Sequence, residues 1–257
     1  GMIVAAVLMA FIYLKLYSPQ IQEYQKKFKS VLLEKIVHAI YPDMKYNPEG
    51  FIPKKVFYTS DIFADKADEG YSGEDYFEGT INKVPIRFSE VNAFRLKGKN
   101  TTVLFSGIFM VLDVKKEFKG NTLVLPDDYE KLFGQLAVQL QSKLSRIEGS
   151  ELVYLKENPD FEQQFVIYSS NKKEALTILN TDMLDNILWI RNRYKSEISI
   201  AFKGGYVYLA ISLGHKGLFD ADIKKSLTAD NELFDRVYAE LMTCFRLAKH
   251  LPIEHLN

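Results

Sequence analysis

Between Pro19 and Ile40, apolar residues return every three or four positions: Ile21, Tyr24, Phe28, Val31, Leu32, Ile36 and Ile40, with lysines and glutamates between them. That spacing lays one stripe along a helix. Tyr41-Pro42 ends it, because proline pushes the residue before it out of the helical region. Prolines and a glycine predict an irregular connector over 45–54. Short β runs follow. Residues 77–81 and 84–88 flank Asn82-Lys83 as the arms of a hairpin, and 91–96 extends the second arm to a turn at Lys97-Gly98-Lys99-Asn100. Residues 101–114 form a β-branched and aromatic run in which Gly107 marks a bulge or a close backbone approach. Residues 121–125 make another strand, stopped by Pro126.

Asp127 or Asp128 caps a helix carrying Tyr129, Leu132, Phe133, Leu136 and Leu140 on one face. After Glu148-Gly149-Ser150, residues 152–155 and 165–168 read as strands around Asn158-Pro159-Asp160. Residues 171–194 read as one helix, and 197–202 with 206–211 as a hairpin closed by Lys203-Gly204-Gly205. A final amphipathic helix spans 227–250. Strand pairs interleaved with helices, without βαβ regularity, predict an α+β fold of antiparallel sheets and amphipathic helices. A subdivision near Gly149 is possible, although no linker composition enforces it.

The first eighteen residues stand apart. Met2 to Leu14 carries no charge, Lys15 interrupts the run, and Ser18-Pro19 ends it. A helix needs roughly 20 apolar residues to cross a bilayer, so this run is too short alone. Three readings fit: the end of a transmembrane helix that starts before Met2, with Gly1 a remnant of cloning or cleavage; a secretory signal; or a buried helix. A signal lacks its basic start and its small-residue cleavage site. The flank favours the anchor, with Tyr13 and Tyr17 at the interface and Lys15, Lys26, Lys27 and Lys29 against Glu23 alone. Basic flanks favour the cytoplasmic side. The expectation is therefore an apolar helix over 1–18 tethering an α+β domain over 19–257 to a membrane, facing the cytoplasm.

Charge changes the picture by exclusion. Lysine plus arginine and aspartate plus glutamate both number 33, so no basic excess marks a general nucleic-acid binder. Cys244, the only cysteine, sits among Leu241, Met242, Phe245 and Leu247 and reads as a small buried hydrophobe. The 18 phenylalanines and 15 tyrosines fall largely within the apolar runs and so read as core.

One segment, 61–78, carries candidate chemistry. It holds seven acids (Asp61, Asp65, Asp68, Glu69, Glu74, Asp75 and Glu78) against Lys66. Hard cations take several carboxylate oxygens, and Gly70 and Gly73 allow a loop to wrap one. Asp65, Asp68, Glu69, Glu74 and Asp75 are the candidate ligands. The EF-hand register fails, since Ala67 and Tyr76 fall at its third and twelfth positions from Asp65. A solvated, mobile loop accounts for the same residues, as does a surface for a basic partner. His38, His215, His250 and His255 have no metal-ligand spacing. Lys203-Gly204-Gly205 and Gly214-His215-Lys216-Gly217 read as turns rather than phosphate loops, and Ser106 as a strand residue rather than a nucleophile.

The motif Tyr71-x-Gly73-Glu74-Asp75-x-x-x-Gly79 followed by Ile86-x-Phe88-Ser89-Glu90 resembles the bacterial DUF3137 domain family. So do Phe105-x-Gly107-x-Phe109, Gly120-x-Thr122-x-Val124-Leu125-Pro126, Phe161-Glu162-x-x-Phe165-x-Ile167-Tyr168, and Glu174-Ala175 with Ile178-Leu179. The similarity covers about 24–250. It implies a bacterial protein with hydrophobic segments ahead of the domain, and sometimes a LemA-like membrane protein encoded nearby. It implies no activity, cofactor or catalytic residue. The leading expectation is a membrane-tethered interaction or scaffold module. A lipid-binding domain with an apolar cavity and a cation-assisted enzyme using 61–78 are the alternatives.

Overall fold

The computed structural model describes residues 31, 33–63, 69–97, 100–127, 149–155 and 157–213, together with 238–239, 241–242 and 244–246. The apolar start, the helix expected from Tyr129, Asp65 and Asp68 lie outside the described residues. Most of the first and last expected helices do too. Among the described residues no helix is long and apolar enough to cross a membrane.

The chain runs α1 (Glu34–Ile40), β1 (Lys45–Asn47), α2 (Lys54–Thr59), β2 (Glu69–Ile81), β3 (Val84–Lys97), β4 (Asn100–Pro126), β5 (Glu151–Val153), α3 (Pro159–Glu162), β6 (Phe165–Ser169), α4 (Lys172–Ile178), α5 (Thr181–Tyr194) and β7 (Ile198–Ser212). Among the described residues one antiparallel sheet contains all seven β segments, so the fold there is α+β with one sheet rather than several.

Asparagine punctuates the second half. Asn158, Asn171 and Asn180 each accept a hydrogen bond from the backbone N–H three residues on, filling one of the open donors at a helix start. The third cap corrects the single helix expected over 171–194. Leu179 leaves helical geometry (φ −87°, ψ 53°) and Asn180 starts a new helix, so both apolar faces are re-aimed at the sheet. The connector expected over 45–54 contains an edge strand, since β1 pairs Tyr46 with Phe77. The expected turn at Asn82-Lys83 is present. Both residues have positive φ, 49° and 67°, as a two-residue type I′ hairpin requires.

β7 folds back on itself. The N–H of Ser212 donates to Glu197 O over 2.9 Å, whereas fifteen residues of straight strand would hold those ends about 50 Å apart. Gly204, at φ 56°, takes the first central position of the turn, where a type II′ hairpin calls for glycine. β4 wraps this hairpin. Its residues 107–113 pair with 212–206 along one arm, and 122–124 pair with 202–200 along the other. Residues 114–121 therefore pass around the tip, with Phe118 opposite Gly204.

Each sheet face carries its own core. The first joins Phe77, Phe88, Met110, Phe202 and Leu209 to α1, α4, α5 and the C-terminal Leu241, Cys244 and Phe245. Cys244 is buried there, as its apolar neighbourhood predicts. The second is aromatic. Phe57 of α2 stacks on Phe63 with ring centroids 4.5 Å apart and meets Phe109 at 4.9 Å and Tyr71 at 5.3 Å. Burying a ring of that size contributes about 1.5–3 kcal/mol, so Phe57 alone holds α2 firmly on the sheet.

Candidate carboxylate site and sheet-face pocket

From Glu69 onward the acidic segment is strand, not loop. Glu69 to Glu78 lie within β2, because Tyr71 and Phe77 on that stretch pack into the two cores and β3 supplies a backbone partner along its length. Glu69 enters opposite Arg95 and stands five residues along the strand from Glu74.

Between Glu74 and Phe77 the register shifts. Glu74 faces Glu90 and Phe77 faces Phe88, so Asp75 and Tyr76 oppose Ser89 alone. This is a β-bulge, which re-aims the side chains on either side of it. Asp75 takes up the turn in the left-handed region (φ 57°), where aspartate is one of the tolerated residues. β1 and the loop after it hold the bulge in place. Asp75 N–H donates to Pro48 O (3.1 Å), Tyr46 Oη donates to Asp75 Oδ1 (2.5 Å), and Ile52 N–H donates to Ser89 Oγ (3.0 Å).

The bulge brings three carboxylates together. One oxygen each from Glu74, Asp75 and Glu90 lies within 4.8 Å of the others, with Asp75 and Glu90 buried. Three carboxylates at that separation repel one another unless protons or a cation intervene, and oxygen-only ligands suit Ca²⁺ or Mg²⁺. Of the five candidate ligands, Glu74 and Asp75 are thus in the cluster, while the side chain of Glu69 and the whole of Asp65 and Asp68 lie outside what is described. Residue chemistry missed Glu90, which lies twelve positions beyond the acidic segment. Its only signal was its place in Ile86-x-Phe88-Ser89-Glu90.

A second feature lies on the aromatic face. A pocket of about 130 Å³ is lined by Glu78, Pro85, Arg87, Val111, Asp113 and Tyr206, among others. Register explains it. Glu78, Arg87, Val111 and Tyr208 form one row across four strands, and Asp113 faces Tyr206 in the next row on the same face. Burial pushes the Tyr76 phenol above its usual range. The Glu78 charge pushes the same way, while Arg87 opposes both. Burial also raises Tyr208, helped by Tyr206 and Asp61 and opposed by Arg87.

A family model described as "Protein of unknown function (DUF3137)" matches residues 103–253. The chain belongs to this family. The match starts after the Tyr71 and Ile86 motifs, so the carboxylate cluster lies ahead of it. The DUF3137 motif residues within the match serve the fold. The Glu174 carboxylate accepts from Lys119 N–H (3.0 Å) and Gly120 N–H (2.8 Å), fixing the end of the β4 wrap. The Glu162 carboxylate accepts from Leu155 N–H (2.5 Å), and the Thr122 and Ser169 hydroxyls bond across β4 and β6 (3.0 Å). Ser106 Oγ donates to Asn92 Oδ1 (2.7 Å), a strand residue as its setting predicts.

No curated protein matches the chain. Among solved structures it is similar to the mycobacterial trehalose monomycolate transport factor A, TtfA, at 10% identity and a TM-score of 0.42, covering 85% of this chain and 93% of that one.

Proposed function

We propose that this DUF3137 chain is a membrane-tethered, cytoplasm-facing interaction module that docks a partner on the aromatic face of its sheet. The tether rests on the uncharged run from Met2 to Leu14 and the lysines that follow it. The docking face rests on the pocket beside Arg87, Asp113 and Tyr206, where charged and phenolic groups surround the apolar Val111. Such a mixture of aromatic and polar groups in a concavity is what recognition surfaces use.

The test uses the native gene product in its host. Alkaline-carbonate fractionation with protease protection reports the tether, and a photoreactive phenylalanine at position 206 reports docking. Membrane recovery, a protected cytoplasmic domain and a discrete crosslinked adduct are the expected results. Release into the soluble fraction overturns the tether. Failure to crosslink at 206, with the protein folded, overturns the docking face.

The carboxylate cluster favours a second reading, cation binding at Glu74, Asp75 and Glu90. Millimolar Ca²⁺ or Mg²⁺ should then raise the melting temperature of the wild type but not of Glu90→Gln. Equal responses of the two would dismiss it.

A further inference from the structure

The sheet-face pocket has a charge imbalance that selects its guest. Its lining includes two carboxylates, Glu78 and Asp113, and one guanidinium, Arg87. Glu78 stands directly opposite Arg87 across β2 and β3, where opposite charges attract, and the lining as a whole keeps one negative charge in excess. Asp113 lies two residues along β4 from Val111, the cross-strand partner of Arg87. It is thus a diagonal neighbour about 7–8 Å away, close enough to share one pocket. Among the described residues no hydrogen bond or ion pair engages the Asp113 carboxylate. Beside it, the half-buried Tyr206 ring comes within 6.0 Å of Tyr208, centroid to centroid.

We infer that this pocket accepts a single cationic side-chain head, the ammonium of lysine or the guanidinium of arginine, presented by the partner protein. The inference rests on the docking reading above and adds the chemistry of the contact. Asp113 supplies the counter-charge, Tyr206 a ring face for the cation, and Val111 with Pro85 an apolar seat for the methylenes behind it. Size suits a small guest. Sites for drug-sized ligands run roughly 300–1,000 Å³, and about 130 Å³ holds one side-chain end rather than a nucleotide.

The experiment is titration of the isotope-labelled full chain, in detergent, followed by amide chemical shifts at Val111, Asp113 and Tyr206. The probes are n-butylammonium chloride, butan-1-ol as its neutral analogue, and sodium butyrate as an anion. Saturable shifts with butylammonium alone are expected, weakened at least fivefold by Asp113→Asn and strengthened by Arg87→Gln. Asp113 is exposed, so its amide variant should keep the fold, and unchanged shifts elsewhere check this. Equal binding of butanol, preference for butyrate, or no saturable shift would each overturn the inference. The two ideas fail separately. A partner crosslinked at position 206 without ammonium selectivity leaves the docking face standing, and ammonium binding without any crosslink leaves only the pocket chemistry.

Discussion

Tyr46 donates its phenolic hydrogen to Asp75 Oδ1 across 2.5 Å, tying the three-residue edge strand β1 to the left-handed bulge of β2. Asp75 is fully buried, so its carboxylate relies on protein donors instead of water. Tyr46→Phe removes that donor and little volume. Hydrogen bonds to charged groups contribute about 1.5–3 kcal/mol, and a loss of that size should appear as a lower midpoint in urea. An unchanged midpoint would mean that the bulge is held without this bond.

Glycine is required at 107 and tolerated for a different reason at 205. A Cβ at Gly107 would sit 2.0 Å from Ile211 O, a backbone atom that the β4–β7 pairing holds in place. A Cβ at Gly205 would meet Val114 O at 3.5 Å, an ordinary contact. Gly107→Ala should therefore cost about 3 kcal/mol or leave the chain insoluble. Gly205→Ala should stay within about 1 kcal/mol of wild type. Thermal melts of the two variants side by side decide it.

Alkaline pH should unfold the domain through its tyrosines. Burial raises the Tyr71 phenol well above its ordinary 10.0, and Tyr71 Oη donates to Ile52 O over 2.7 Å. Tyr76 and Tyr208 are raised as well, with burial again the first cause. In the unfolded chain these phenols lose protons near pH 10, while the folded chain still holds them. The unfolded state then binds fewer protons, so stability is fully present below about pH 10 and falls as pH rises beyond it. Urea titrations at pH 8 and pH 11 should show the drop, and Tyr71→Phe should shrink it. A flat profile would refute the account.

The hairpin tip is pinned by charge. Lys203 pairs with Asp61, which follows α2 in left-handed geometry (φ 59°), and both side chains are partly exposed. Asp61→Asn keeps a residue suited to that geometry and removes only the charge. For a partly exposed pair the loss should be about 0.5–1 kcal/mol, and 1 M salt should erase most of the difference between the proteins. Persistence of the full difference at high salt would show that geometry, not charge, is at work.

The sequence by itself determined many of the local elements, though not where the 171–194 helix breaks or that residues 45–47 are a strand. Asn82-Lys83 and Lys203-Gly204-Gly205 announce tight turns because asparagine and glycine tolerate positive φ, and the β-branched and aromatic run over 101–114 announces a strand. Cys244 and Ser106 were legible in the same way, from their immediate neighbours. What lay beyond reach was the pairing between distant segments. Nothing near Glu174 shows that its carboxylate will hold the β4 wrap, 54 residues away at Gly120. Nothing near Glu74 marks Glu90 as its partner, since antiparallel register sets the two opposite one another only after β2 and β3 close at Asn82-Lys83. The pocket is further still from local pattern, because its lining comes from β2, β3, β4 and β7. Periodicity along a chain reports which face of an element is apolar, whereas hydrogen bonding between strands decides which charges meet on that face, and only the folded sheet carries that information.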